Sequence, residues 1–381
     1  MRLPGVLPFD GVLALAALGI MICSVLMLHA STSTDVRGNP NYYATRQAVY
    51  CVVGGLLAVG LSRIDYSRLR ELKYVLYAIL MGSILLVLGL GTQAKGAQRA
   101  ITLPFFSFQA SELGKVLLIV VLSAFVADRS RRLSERDTTA RVMLLALVPA
   151  VFVMAQPDLG SSLVYIAIAI AILYVAGTAW QHFAALLALG AVAITLVLVV
   201  APAVGVHPVK QYQLDRLTAF LHPSDNPAKQ GYQQHQALIA VGSGEKTGRG
   251  ALATQARLDY LPEHGTDFAF ASIAERWGFA GAALVLSLYG LIIWRGLSIL
   301  TMSKSFYGAL IAGGIVGMLM FEIFINVGMN LGIMPITGIP LPMISYGGSS
   351  VVTTLLAVGL LQSIYAQGRR AAALQGRVLT L

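Results

Sequence analysis

The chain has 381 residues, 57% of them hydrophobic and 12% charged, with mean hydropathy +0.75. Soluble domains carry roughly 25% charged residues, so this composition leaves too little polar surface to face water, and the apolar blocks have the length of lipid crossings. The net charge of +10 does not point to nucleic acid, because the basic residues sit in short loops between those blocks.

In chain order the apolar blocks predict ten spans, at about 11–30, 47–62, 74–92, 109–127, 142–157, 159–177, 184–203, 269–294, 307–329 and 348–367. The expected fold is an all-α integral membrane protein, a single membrane domain over 1–381. The first block lacks a small-residue cleavage site and reads as a retained span. The fifth is short, contains Pro149, and meets the sixth at a Pro157-Asp158-Leu159-Gly160 turn. Cys23 and Cys51 both fall inside spans, so no bridge is indicated. No repeat of 20–50 residues is evident. With the N-terminus taken as cytoplasmic, the short inner segments hold fifteen Lys and Arg and the short outer loops only four, Arg37, Arg46, Lys95 and Arg99. That asymmetry puts both termini inside. The long segment 204–268, between the seventh and eighth spans, is then a large extracytoplasmic loop, with Leu214–Phe220 and Gly231–Ala240 as short interfacial helices. Trp277, Trp294 and Tyr307 near span ends suit an aromatic belt.

Soluble motifs are absent. The Gly242–Gly248 stretch lacks Walker spacing and reads as a glycine-rich turn. The six histidines show no metal-ligand pairing, and Ser111 and Lys115 are not spaced as Ser-x-x-Lys. The informative residues are charges at membrane depth, which are costly unless paired or facing a cavity. Glu112 and Lys115, three apart, share a helix face; they form either a structural ion pair or a cavity whose lysine meets an anionic ligand. Asp158 stands at a helix start, where a carboxylate caps free amides or serves a site. Glu322, inside the ninth span, has the option of a partner on another helix. The connection from Met329 to Ser350 has three prolines and four glycines and almost no charge. Such backbone at membrane level must be buried in protein or line a cavity. The entry to the eighth span carries Asp259, Glu263, Asp267 and Glu275. Asp267 sits where water gives way to lipid; partial desolvation there suits a general base, and a helix cap fits the position equally well.

Several of these stretches, in this order, resemble the SEDS proteins (shape, elongation, division and sporulation) over nearly the whole chain. They are Lys95-Gly96-Ala97 onward to Gln109-Ala110-Ser111-Glu112-Leu113-Gly114-Lys115, Gln156-Pro157-Asp158-Leu159-Gly160, Arg216 to Gly250, Tyr260 through Phe268, and Pro335 through Pro342 with Ile344 to Ser350. The wording of Pro335 to Pro342 and of Ala240 to Gly244 is nearest the elongation branch, RodA, with the division branch, FtsW, the near alternative. The resemblance implies a peptidoglycan glycosyltransferase that polymerises lipid II, a disaccharide-pentapeptide on undecaprenyl diphosphate, at the outer face of the cytoplasmic membrane during elongation and rod-shape maintenance. It implies a class B penicillin-binding protein (a PBP2-like transpeptidase) as activating partner. The family's essential aspartate maps onto Asp267, and its fourth-span acid and lysine onto Glu112 and Lys115. Departures are Ala110 in place of a proline, Ala100 in place of an aromatic, and His264-Gly265 where Ala-His or Arg-His is usual. In this reading Asp267 takes the acceptor hydroxyl proton. Lys115, Arg99, Arg216 and Lys210 are the candidate cations for the diphosphate, Asp158 and Glu263 are further cavity residues, and a divalent cation could assist. Two competing readings stand beside it: a lipid II flippase, and a non-catalytic scaffold for a penicillin-binding protein.

Overall fold

The computed structural model describes residues 9–33, 35–36, 39–94, 97–102, 105–203, 205, 220, 230–255 and 260–378, with backbone alone at 92–94, 97–99, 230 and 375–378. Eleven long helices run through these residues: α1 Gly11–Ser31, α2 Tyr42–Ser62, α3 Lys73–Leu90, α4 Ala110–Asp128, α5 Arg136–Ala155, α6 Leu159–Val175, α7 Trp180–Ala203, α8 Gln230–Ser243, α9 Ala269–Met302, α10 Phe306–Asn330 and α11 Gly348–Val378. Nine are long and apolar enough to cross a membrane, and α6, with 17 residues, is a shorter apolar helix of the same kind. These ten match the ten expected spans. The fifth is not short: α5 runs 20 residues and begins at Arg136. Its charged first turn hid the start from a reading based on apolar blocks, and Pro149 lies within the continuous helix.

One departure from all-helical expectation lies between α3 and α4. Strands β1 Thr92–Ala94, β2 Ala97–Thr102 and β3 Ser107–Phe108 form an antiparallel sheet in the order β1-β2-β3. Of the interfacial helices expected in the long loop, Gly231–Ala240 lies within α8, whereas 214–219 is outside the described residues.

The interior is built around α4, α10 and α11. Helix α10 packs on α4, α6 and α9, and α11 packs on α2 and α4. Close approach is possible because small residues stand at the crossings: a Cβ on Gly317 would come within 2.3 Å of the Ala171 Cβ. Without a hydrophobic driving force between helices in lipid, such contact is what holds them together. By contrast α7 buries no residue over Trp180–Thr195. It is tethered near its start, where the hydroxyl of Thr139 and Nδ1 of His182 are 2.7 Å apart. Helix α10 also sets the poles of the molecule. Its first residues adjoin Tyr66, at the end carrying the loop from α2 to α3, and its last, Asn330, reaches the segment that enters α9.

Candidate functional site

The segment 260–268 is a run of turns leading into α9, and its geometry is over-determined. Glu263 adopts φ +60°, and its carbonyl accepts from the amides of Thr266 (3.0 Å) and Phe268 (3.2 Å). Its carboxylate accepts from the Thr266 hydroxyl at 2.9 Å. Glu263 therefore braces the turn from within. The 331–347 connection clamps the same turn from outside: the Tyr346 amide donates to the Gly265 carbonyl at 2.8 Å and the Ser345 hydroxyl to that of Thr266 at 2.5 Å. Its proline- and glycine-rich backbone is thus packed against protein, as backbone at membrane depth requires.

Asp267 is half-buried. Its carbonyl accepts from the side-chain amides of Asn326 (3.1 Å) and Asn330 (3.3 Å) on α10. Both asparagines are fully buried. Asn330 also accepts from the Ala271 amide at 3.0 Å. That amide is one of the orphan donors of the first turn of α9, and a residue from another helix satisfies it. The residue at the cap position proper is Phe268, with no side-chain cap bond.

Glu322, Asn326 and Asn330 lie four apart, on one face of α10. One turn below Asn326, Glu322 accepts from Lys115 at 2.7 Å, and Lys115 also donates to Glu112 at 2.7 Å. All three are buried in the interior. The Glu112–Lys115 pair expected from spacing is present, but it is part of a triad of one ammonium and two carboxyl groups. Both carboxylates lie on the Lys115 ammonium, the arrangement of a structural ion pair, one of the two readings its spacing allowed. Asp158 caps α6, accepting from the Ser161 amide at 3.1 Å, and its other oxygen accepts from Ser111 (3.0 Å) and Gln109 (3.1 Å). It ties α4 to α6 beneath the site.

Of the other expected cations, Arg216 and Lys210 lie outside the described residues, as does the side chain of Arg99. A cation not singled out from the sequence stands nearby. Arg46 on α2 lies over the Tyr42 ring at 4.5 Å and hydrogen-bonds to Tyr346, which holds Gly265. Burial, with Tyr50 beside it, pushes the Tyr346 phenol well above its ordinary value, so it stays a neutral hydroxyl. Tyr43 and Tyr346 pack edge to face at 4.9 Å. Among the described residues, no three His, Cys, Asp or Glu side chains group as a metal site would need. The turn at Gly244–Gly248 fills a break in α9 at Gly278.

A family profile described as a cell cycle protein, FtsW/RodA/SpoVE, matches residues 9–370. A probable peptidoglycan glycosyltransferase FtsW from Thioalkalivibrio sulfidiphilus is 36% identical over 93% of this chain and 87% of its own. A peptidoglycan glycosyltransferase RodA from Treponema pallidum is 32% identical over 96% of this chain and all of its own. In structure, a chain from a peptidoglycan synthase complex superposes with TM-score 0.81 at 29% identity, covering 95% of this chain and 99% of that one. The rod shape determining protein RodA of Thermus thermophilus gives 0.69 at 28% identity, over 95% and 98%. The likeness thus extends to relatives named FtsW and relatives named RodA alike. Matched over nearly all its length in sequence and in fold, the chain belongs to the FtsW/RodA/SpoVE family of multi-pass membrane proteins.

Proposed function

We propose that this protein is a peptidoglycan glycosyltransferase that polymerises lipid II, with Asp267 as the general base. The observation that carries the proposal is the clamping of the Asp267 backbone by Asn326, Asn330 and the neighbouring Ser345 contact. A carboxylate whose own carbonyl is held by two buried side chains, and its neighbour's by a third, has less freedom to lose on reaction, which is what positioned catalysis requires. Asp267 takes the proton from the acceptor GlcNAc 4-hydroxyl as that oxygen bonds to the donor MurNAc anomeric carbon. The bond from that carbon to the diphosphate oxygen breaks, and undecaprenyl diphosphate leaves with the electron pair. Attack opposite the leaving group inverts the anomeric centre. Arg46, linked to the Asp267 loop through Tyr346, is the described cation best placed for the diphosphate, joined by Arg99, Arg216 and Lys210 if their side chains converge there. A divalent cation would draw its ligands mainly from the phosphate oxygens.

The chemistry belongs at the outer face of the cytoplasmic membrane, with both termini inside, as the charge asymmetry favours. The wording of Pro335 to Pro342 favours elongation, and a class B penicillin-binding protein is the partner proposed, since the complex that this fold resembles is a peptidoglycan synthase. The test is chain formation from lipid II by purified protein with that partner. Asp267→Asn keeps size but cannot accept a proton, and loss of a general base costs about 10²–10⁴-fold in rate. Near-normal polymer from this variant would falsify the assignment. Polymer made by the wild type in detergent, with no second compartment, excludes a pure flippase and a scaffold.

A further inference from the structure

At the opposite pole from Asp267 lies a cavity of about 910 Å³ between the loop after α2, the end of α4 and the start of α10. Its walls are chemically unlike the lipid-facing surface. Arg70 and Lys73 both contact the Asp128 carboxylate; the Arg70 guanidinium approaches to 2.6 Å. Ser67, Ser130 and Glu71 also line the space. Tyr307 lines it as well and is only 3% exposed, yet its hydroxyl has no hydrogen-bond partner among the described residues. The aromatic-belt reading of Tyr307 is therefore wrong, because a belt residue presents its hydroxyl to the interface.

We infer that this cavity binds a phosphate-bearing anion, and that an anionic lipid headgroup from the adjoining leaflet is its source. Two cations on one carboxylate leave a local surplus of positive charge. Asp128 holds the guanidinium and ammonium in place as an internal anion, and an incoming phosphate shares them while the Ser67 and Ser130 hydroxyls donate to its remaining oxygens. Glu71 opposes this attraction from the exposed rim, where solvent screens it. Arg131, Arg132 and Lys304 on neighbouring loops supply the juxtamembrane basic field that concentrates anionic lipid. The inference does not depend on the glycosyltransferase reading, because its readout is binding.

The experiment uses the full-length protein in nanodiscs, then native mass spectrometry of lipid retained after transfer to mild detergent. Nanodiscs of phosphatidylcholine with phosphatidylglycerol supply the lipid probe, and inorganic phosphate with a thermal-shift readout supplies the soluble one. The wild type should retain phosphatidylglycerol over phosphatidylcholine. Arg70→Gln and Lys73→Gln should each reduce that retention about fivefold, and Ser130→Ala should reduce it with the fold intact. Arg369→Gln, also basic but outside the cavity, should leave it unchanged. Preference for phosphatidylglycerol without a phosphate-induced shift assigns the lipid headgroup. A phosphate shift that the same variants abolish, without lipid preference, keeps the phosphate chemistry and overturns the lipid source. Neither preference nor shift, or retention indifferent to Arg70→Gln, Lys73→Gln and Ser130→Ala, overturns the site.

Discussion

The buried triad separates two kinds of charge loss. Lys115 is shared by two carboxylates at equal distance, 2.7 Å each, so the three groups are not interchangeable. Removing Glu112 or Glu322 leaves a one-to-one pair; the cost is a lost charge-assisted hydrogen bond, offset by relief of the crowding of two acids on one ammonium. Removing Lys115 instead leaves two carboxylates facing each other in the interior, where an unpaired charge is strongly destabilising. Lys115→Met should therefore cost roughly 3–5 kcal/mol, whereas Glu112→Gln and Glu322→Gln should each cost about 1–2 kcal/mol. Thermal unfolding in detergent measures the order. Equal melting-temperature losses in the three variants would remove the triad as a unit. The role proposed for Asp267 rests on a different residue-scale device, the two asparagines that hold its carbonyl, one of which also accepts from the Ala271 amide of α9. Their polar i, i+4, i+8 spacing inside an apolar span was visible in the sequence at Glu322, Asn326 and Asn330. What spacing cannot give is the partner, because Asp267 and Asn330 are brought together by the packing of α9 against α10.

At the scale of elements, the break in α9 shows where local sequence and tertiary contact must be read together. Gly278 has φ +65° and ψ −161°, far from helical values. The turn after α8 docks into the break: Phe279 and Ala280 donate their amides to the carbonyls of Glu245 and Lys246, and Arg249 donates to that of Glu275. Glu275, itself buried, accepts from the amides of Thr254 (2.7 Å) and Gln255 (3.0 Å) and holds the next stretch of loop. The Gly-rich wording of 242–248 was legible as a turn, and its purpose was not, since the surface it fits is made by residues thirty positions later. A Cβ on Gly278 would lie 2.4 Å from the Gly248 nitrogen and 2.6 Å from that of Thr247. These are backbone atoms that cannot swing aside, and the positive φ adds strain for any L side chain. Gly278→Ala should cost about 1–3 kcal/mol and loosen 244–255, read as faster amide exchange there. Gly290→Ala, on the same helix with nothing within 4 Å of its added Cβ, should be neutral or stabilise by up to about 1 kcal/mol. If exchange in 244–255 does not change in Gly278→Ala, the turn is held by something other than the notch.

For the whole molecule, number and order of spans came from the apolar blocks, while the small sheet at 92–108 escaped because its strands are too short for a periodic signal. Orientation is a separate question, since helix packing fixes relative poles and not which pole faces out. The poles are tied to one another through α10, with Tyr307 at one end and Asn330 beside Asp267 at the other, so locating any one loop locates all. Fifteen basic residues in the short segments at the Tyr307 pole and the termini, against four in the short loops at the Asp267 pole, favour an outward Asp267. The prediction is that a cysteine placed by Asn226→Cys reacts with a membrane-impermeant maleimide in intact spheroplasts, whereas one placed by Arg132→Cys, on an exposed side chain at the other pole, reacts only after lysis. Background is low because native Cys51 is buried and Cys23 is half-buried within α1. The reverse labelling pattern would turn the molecule over. It would then put Asp267 in the cytoplasm, on the wrong side of the membrane for building an external wall, and the orientation and the proposed polymerase activity would fall together.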